Sequence, residues 1–416
     1  MLNVSLERLK SRLDFLGTLT DPELPFTRRA FTTRYLEAQT WLEREFQSAG
    51  LETRIDAGGN LIGRLEGKSS KALVLGSHTD TVRSGGRFDG ILGVLCALET
   101  VQTLLENGVK LNHSLEVVDF LSEEPSDYGG LSCVGSRAWA GTLSEPMLAL
   151  ENAEGETLER AMKRTGADLE RVRSGPLRRP EELAAYLELH IEQGPTLEHA
   201  GIPIGVVTGI AGIERWKLSI LGQADHAGTT PMNLRRDPLP AAAQFVLEVE
   251  HLALNTEGLT ATVGQLETVP GAGNVIAGTV KLSLDVRHAS DVVRLLSVSK
   301  LLESALKIAE TRGLKCSVTQ DLEQNAVPCD PAQSSRLVGA VLHGGLTAHR
   351  LPSGDIDGGK QLKALWHMGS CGGHREVTQF SSSCAPASPL FSGWNWVADS
   401  GPFSTAATKG PPCWAQ

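Results

Sequence analysis

The chain has 416 residues, 41% of them hydrophobic and 21% charged, with a formal net charge of −10. That length exceeds one ordinary core, at roughly 100 to 200 residues per domain, so two domains are expected, and the composition excludes a largely disordered chain. The acidic balance, without a Lys/Arg-rich run, excludes nucleic acid or an anionic membrane as the main partner and favours a small molecule.

The opening "MLNVSLERLKSRLDFLGTL" puts Leu6, Leu9, Leu13 and Leu16 on one stripe, predicting a packed amphipathic helix rather than a signal peptide. No run of about 18 apolar residues is long enough to span a bilayer. Seven cysteines without a C-x-x-C pair fit reduced thiols, so a cytoplasmic location is expected. Next, "KALVLGS" predicts a strand, "GILGVLCALETVQTLLENG" a helix closed by glycine, "SLEVVDFLS" a strand and "AAYLELHIEQG" another. This alternation predicts an α/β layer fold with a largely parallel sheet, whose functional residues belong at the carboxyl ends of strands. His78, Glu123, Glu124 and His190 all fall there.

Residues 209–325 read as strand, helix, strand, strand, helix, strand: "ERWKLSILG", "PAAAQFVLEVEHLAL", "LTATVGQLE", "TVKLSLDVR", "DVVRLLSVSKLLESALKIAE", "KCSVTQDLE". That is the order of a ferredoxin-like split βαβ unit, inserted between segments 1–208 and 326–354. "GVVTGIAG" and "NAVPCDPA" are the expected hinges. Residues 355–416 hold four of the seven Trp and three of the seven Cys but only eight charged residues, and periodicity stops after "LKALWHM".

Three stretches of the first half could carry chemistry. In "GSHTDTVRSGGRFDG", residues two apart on a strand face one side, so Asp80 can orient the His78 ring, and Asp89 can bridge two cations. The same residues also read as an ordinary strand-end histidine and a helix cap. In "LSEEPSDYGG" the neighbours Glu123 and Glu124 point opposite ways, as a metal ligand and a general base do, or form an exposed acidic turn. "YLELHIEQG" sets Leu187, Leu189 and Ile191 against Glu188, His190 and Glu192, which suits a divalent cation or a solvated strand face. Within 209–325, His226, Asn274 and Arg287 could bind an oxyanion, a carbonyl and a carboxylate, or serve as turn and surface residues.

In order and spacing, "GSHTDTVRSGGRFDG", "SEEPSDYGGLSCVGSRAWAG", "ELHIEQGPTLEHAGIPIGVVTGIAG", "GQADHAGTTPM" and "GNVIAGTVKLSLDVRH" resemble the hydantoinase/carbamoylase branch of the two-metal amidohydrolases. That branch is related to zinc carboxypeptidases and includes allantoate amidohydrolase, N-carbamoyl-L-amino-acid hydrolase and β-ureidopropionase. The resemblance runs from about residue 5 to Gly354. It implies a mixed-sheet, metallopeptidase-like α/β catalytic domain with an inserted ferredoxin-like lid that dimerises. It further implies that His78 and His190 ligate one metal, Asp89 bridges, Glu124 ligates the second, Glu123 is the general base and Asp80 supports His78. Gln193, His226, Asn274 and Arg287 match substrate-contacting positions, the last three reaching into the partner's site in a homodimer. The implied cofactors are two zinc or manganese ions, and the implied reaction is hydrolysis of linear N-carbamoyl or ureido acids with release of ammonia. Asp225 stands where the family pattern has Asn.

After "LPSG" the family continues with a Gly-His-Asp segment and a distal histidine that completes the second metal's ligands. Here "FSSSCAP" stands near that place, and neither His367 nor His374 lies in a matching motif. The expectation is a tail read in another frame or a divergent one, with an exposed sheet edge, a weakly held second metal and low activity. Two other readings stay open: an aminoacylase or metallopeptidase of the same superfamily, and a non-catalytic dimerising remnant.

Overall fold

The computed structural model describes residues 2–353 and the main chain of residues 377–382. It divides into two compact units, with the second spanning Gly209–Pro328. Its exit lies three residues beyond position 325, inside the "NAVPCDPA" segment. The two crossings run side by side, Ile210 opposite Val327 and Gly209 opposite Pro328, and the Cys329 amide donates to the Thr208 carbonyl at 3.0 Å.

The first unit opens with helices α1 (Leu6–Thr18) and α2 (Thr33–Ser48), each started by a hydroxyl cap: Ser5 accepts from the Arg8 amide, and Thr32 from the Tyr35 amide. Leu9, Leu13 and Leu16 of α1 are buried, as the stripe predicts, and pack with Ala38, Leu42 and Phe46 of α2. The sheet follows as β1 (Glu52–Ile55), β2 (Leu61–Leu65), β3 (Ser69–Ser77), β4 (His113–Asp119), β5 (Leu183–Ile191) and β6 (Ile204–Ile210), with helix α3 (Ile91–Glu106) crossing between β3 and β4. In space the order is β1-β2-β4-β3-β5, then the strand Val377–Ser382, then β6. Strands β4, β3, β5 and 377–382 run parallel, whereas β1, β2 and β6 pair antiparallel, so the sheet is mixed rather than largely parallel. The expected exposed edge beside β5 is not found, because the main chain of Val377–Ser382 pairs with both β5 and β6. Ser77 lies opposite Asp119 and Leu75 opposite Leu187, so the carboxyl ends of β3, β4 and β5 open onto one crevice.

Two glycines let α3 lie close over that crevice. A methyl group at Gly93 would come within 2.3 Å of the Leu189 carbonyl oxygen, and Gly90, at φ +63°, would place one 2.3 Å from Nε2 of His78.

The second unit is an antiparallel sheet with two helices. Its long strands are β7 (Gly212–Leu221), β12 (Thr279–His288) and β13 (Lys315–Gln324); the shorter β8 (Asp225–His226), β9 (Thr260–Thr262), β10 (Leu266–Val269) and β11 (Val275–Ile276) lie between β7 and β12 in the chain. The spatial order is β10-β12-β7-β13, with β9 also paired to β12. With the helices Leu239–Leu254 and Asp291–Thr311, the long strands and the β9–β10 segment follow the order βαββαβ, to which the short pair β8 and β11 is added. "LTATVGQLE" forms two short strands rather than one: the ladder breaks at Val263–Gln265, where Ser283 makes the local bonds with Gln265 through its main chain and hydroxyl. Phe245 and Val249 from one helix and Val298, Leu301 and Ile308 from the other fill the core over Leu218, Ile220, Val280 and Leu284. The helices' other faces leave Leu247, Leu254, Val292 and Leu296 exposed. Among the described residues no helix is long and apolar enough to cross a membrane.

Arg294 is wholly buried in this unit and meets buried Glu214 at 2.6 Å. Removing one partner of such a pair strands the other charge. Arg294→Met is expected to lower the unit's unfolding free energy by about 3 to 5 kcal/mol, measured by denaturant titration.

Candidate functional site

The crevice at the ends of β3, β4 and β5 gathers His78 and His190 with Asp80, Asp89, Glu123 and Glu124. His78 follows β3 directly and is 2% exposed; His190 is the penultimate residue of β5 and is 4% exposed. Their rings stack 5.9 Å apart at 26°. Each ring holds its Nδ1 against a main-chain carbonyl, His78 against Asp80 at 2.9 Å and His190 against Ile191 at 2.8 Å. A carbonyl only accepts, so Nδ1 carries a proton in both rings, and it is Nε2, with its lone pair in the neutral ring, that is left to face the crevice.

Asp89 reaches the same point from the loop before α3. Its Oδ1 lies 3.2 Å from Nε2 of His190, yet it is buried and makes no hydrogen bond of good geometry among the described residues. Its Oδ2 accepts from Nε2 of Gln193 at 2.9 Å. Gln193, one of the residues expected to contact substrate, thereby steadies Asp89 through its side-chain amide. His78, Asp89 and His190 each offer a ligand atom, all within 4.8 Å of one another. Two imidazole lone pairs and an orphaned carboxylate oxygen, all buried, form a donor set that fits a divalent cation and accepts zinc or manganese.

Asp80 does not orient His78 through its carboxylate, which stands 3.7 Å from Nδ1. Its two oxygens are occupied instead by the amides of Glu123 and Glu124, each at 3.1 Å. The ring is oriented by the main-chain oxygen of Asp80, and the side chain shapes the neighbouring acidic turn. That turn carries Glu123, whose Oε2 is 3.6 Å from Nε2 of His78. Ser122, at φ +51°, supplies the left-handed residue that turns the two glutamates inward.

Electrostatics mark the same cluster. Burial opposes the charged form of His190, but Asp89 and Glu188 prevail and raise its pKa to about 9. For His78 burial is likewise outweighed, here by Asp80, Asp89 and Glu124, and its pKa is raised. Glu124 moves up because it is buried and because Asp89 and Asp80 repel its charge. Asp89 moves down, its burial outweighed by His190 and His78. Like-charged carboxyls crowded beside basic imidazoles are the environment that a cation relieves.

The alternation in "YLELHIEQG" is real, but its polar face is not solvated. Glu188 is 4% exposed, accepting from Ser77 Oγ at 3.0 Å and Tyr186 Oη at 2.7 Å, while Leu187, Leu189 and Ile191 are half-buried. Glu192 turns away to accept the Thr196 and Leu197 amides, both at 2.9 Å.

The three residues of the second unit do not form one cluster within it. His226 and Asn274 are neighbours: β8 pairs with β11, and the Ala227 amide donates to the Asn274 carbonyl at 3.0 Å. Arg287 sits eight residues along β12 from Thr279, roughly 26 Å at about 3.3 Å per residue. There it contacts Asp285 through Nε at 2.8 Å. The last ligand expected for the second metal, with His367 and His374, lies outside the described residues. Two residues behind the site, Arg28 and Asp119, were not found by motif reading, since one sits in a loop without periodicity and the other ends an apolar strand.

The model of peptidase family M20/M25/M40 matches residues 74–372, continuing past Gly354, where the motif resemblance had stopped. N-carbamoyl-L-amino acid amidohydrolase of Geobacillus stearothermophilus is 42% identical over 366 residues, 87% of this chain and 89% of that one. Allantoate deiminase of Arabidopsis thaliana is 34% identical over 355 residues, 80% and 67% of the two chains. The crystal structure of a hydantoinase/carbamoylase family amidase from Burkholderia multivorans superposes with a TM-score of 0.83 at 30% identity, over 92% of this chain and 91% of that one. Members of the M20 family typically use two metal ions, and the buried His78, Asp89 and His190 cluster accords with that.

Gly90→Ala would drive a methyl group against Nε2 of His78 in a backbone conformation that disfavours a side chain. The variant is expected to melt cooperatively but to bind zinc more than tenfold more weakly, measured by competition with a chromophoric chelator.

Proposed function

Because the chain belongs to the hydantoinase/carbamoylase branch of peptidase family M20/M25/M40, we propose that it hydrolyses linear N-carbamoyl or ureido acids and releases ammonia. The observation that carries this reading is the buried His78, Asp89 and His190 cluster with both Nε2 atoms turned inward, next to Glu123 and Glu124. N-carbamoyl amino acids and allantoate are the substrates by which the similar proteins are named.

In this reading His78 and His190 would hold one divalent cation, Asp89 would be shared and Glu124 would serve a second, with zinc and manganese both suited to the donors. Bound cations supply a water of lowered pKa and polarise the scissile carbonyl. Glu123 takes the proton of the attacking water and returns it to the leaving nitrogen. Asp80 holds the turn that carries Glu123 and Glu124 in place by their amides, so that the base and the ligand are presented to the same histidine pair. Gln193 keeps Asp89 oriented and reaches the substrate as well. His226 donates to the oxyanion, Asn274 to a substrate carbonyl, and Arg287 pairs with the substrate carboxylate, exchanging its contact with Asp285.

The likeness to the hydantoinase/carbamoylase amidases supports a homodimer in which His226, Asn274 and Arg287 of each subunit reach into the partner's site. The exposed leucines and valine on the helix faces of Gly209–Pro328, which acts as the lid, support pairing through that unit. The net negative charge and lack of a basic run support an enzyme that binds neither nucleic acid nor an anionic membrane, and seven cysteines without a C-x-x-C pair support a cytoplasmic location.

Glu123→Gln is expected to lower kcat by about 10² to 10⁴ with metal content unchanged, read by ammonia release and elemental analysis. A variant with near wild-type turnover would remove Glu123 from the mechanism. Hydrolysis of N-acetyl amino acids or dipeptides, without ammonia from carbamoyl substrates, would favour the aminoacylase or peptidase reading instead. "FSSSCAP" brings no histidine to the second metal, so zinc titration is expected to give one tight and one weak equivalent per chain, with low turnover. Two tight equivalents would show that the tail completes the site, and a metal-free, inactive dimer would favour the non-catalytic remnant.

A further inference from the structure

We propose that Arg28, outside every motif of the family resemblance, is a positioning residue that sets the geometry of the metal centre by holding the carbonyl of Thr79. The inference rests on the reading of His78 as a ligand. Arg28 is 2% exposed, and its main chain is tied to the loop after β3: its amide donates to Thr81 Oγ1 at 2.8 Å, and the Thr81 amide donates to its carbonyl at 3.1 Å. The guanidinium then donates through Nε to the Thr79 carbonyl at 2.9 Å and through Nη1 to the Leu16 and Leu19 carbonyls at 3.0 and 2.9 Å. One side chain therefore joins two carbonyls at the end of α1 to the residue that follows His78.

Thr79 is gripped from its other side as well. Its hydroxyl donates to Asp119 Oδ2 at 2.9 Å, at the last residue of β4. With its carbonyl held by Arg28 and its hydroxyl by Asp119, Thr79 has little freedom, and the residues on either side inherit that order. His78 precedes it, and Asp80, whose carbonyl orients the His78 ring and whose carboxylate holds Glu123 and Glu124, follows it. A shift at Thr79 would move the ligand and the acidic turn together.

The setting of Arg28 is costly if it serves packing alone. Its charge is buried and its donors go to neutral carbonyls, while Nη2 finds no hydrogen-bond partner among the described residues. Burial accordingly lowers its pKa to about 10. A buried cation kept without a directly hydrogen-bonded acid is a poor stabiliser, and its value here lies in the three carbonyls it fixes at once.

The test uses the full chain, stripped of metal, with zinc affinity from chelator competition and the d–d spectrum of cobalt(II) added in its place. Arg28→Met is expected to weaken the tight site at least tenfold and to alter the cobalt bands. Arg28→Lys, which reaches fewer of the carbonyls, recovers part of the affinity. Thr79→Val, which keeps Arg28 and removes the hydroxyl contact with Asp119, weakens binding severalfold, and Arg28→Lys decides the role of Arg28 if Arg28→Met does not fold. Folded variants that bind zinc within twofold of the wild type, with its cobalt spectrum, overturn this inference alone. A wild-type chain that binds neither ion overturns the metal-centre reading and this inference with it.

Discussion

The Asp80 carboxylate accepts the amides of both Glu123 and Glu124, and the arrangement of the crevice depends on that one interaction. It links the end of β3 to the turn after β4, two strands already held in register by parallel pairing. Because its oxygens are engaged there, Asp80 orients His78 by its main-chain carbonyl instead, which leaves Nε2 of the ring aimed inward. Burying a carboxylate is costly, and two amide donors at 3.1 Å offset part of that cost. Burial still raises the pKa of Asp80 overall.

From that linkage follows the electrostatic character of the site. Asp80, Asp89, Glu123 and Glu124 converge on two imidazoles in a region shielded from water. Without a cation, the balance is kept by proton sharing: the histidines are raised, Glu124 is raised and Asp89 is lowered. Such an assembly contributes little to stability and is held by the surrounding sheet, which is the usual relation between a functional site and its scaffold. The scaffold's share is visible in Gly90 and Gly93, whose missing side chains let α3 descend to the strand ends.

In the second unit the residues proposed to contact substrate lie on a loop and at strand ends over a separate core. His226 and Asn274 share a short two-stranded pair, while Arg287 is held at the far end of β12 between strands β7 and β9. The spacing along one strand keeps these groups apart whatever their shared chemistry.

Much of the fold was legible because its signals are local. The leucine stripe of α1, the apolar runs of β3 and β4 and the helix after Gly90 each state their own period, and their alternation predicts an α/β unit followed by βαββαβ. The candidate site was legible for the same reason: His78, Glu123, Glu124 and His190 follow or end such runs, and Asp89 stands just before one. Other features required chain segments to meet. Antiparallel flanks depend on strand order, which no window of sequence contains. The partner of Asp80 is a pair of amides 43 and 44 residues away. Arg28 meets Thr79 across 51 residues, from a loop with no periodic signal. The sequence by itself determined which residues carry imidazole, carboxylate and guanidinium and which strand ends present them. Only the tertiary structure decided which oxygen meets which nitrogen, because hydrogen bonds are satisfied in space, among groups that burial brings together, and not along the chain.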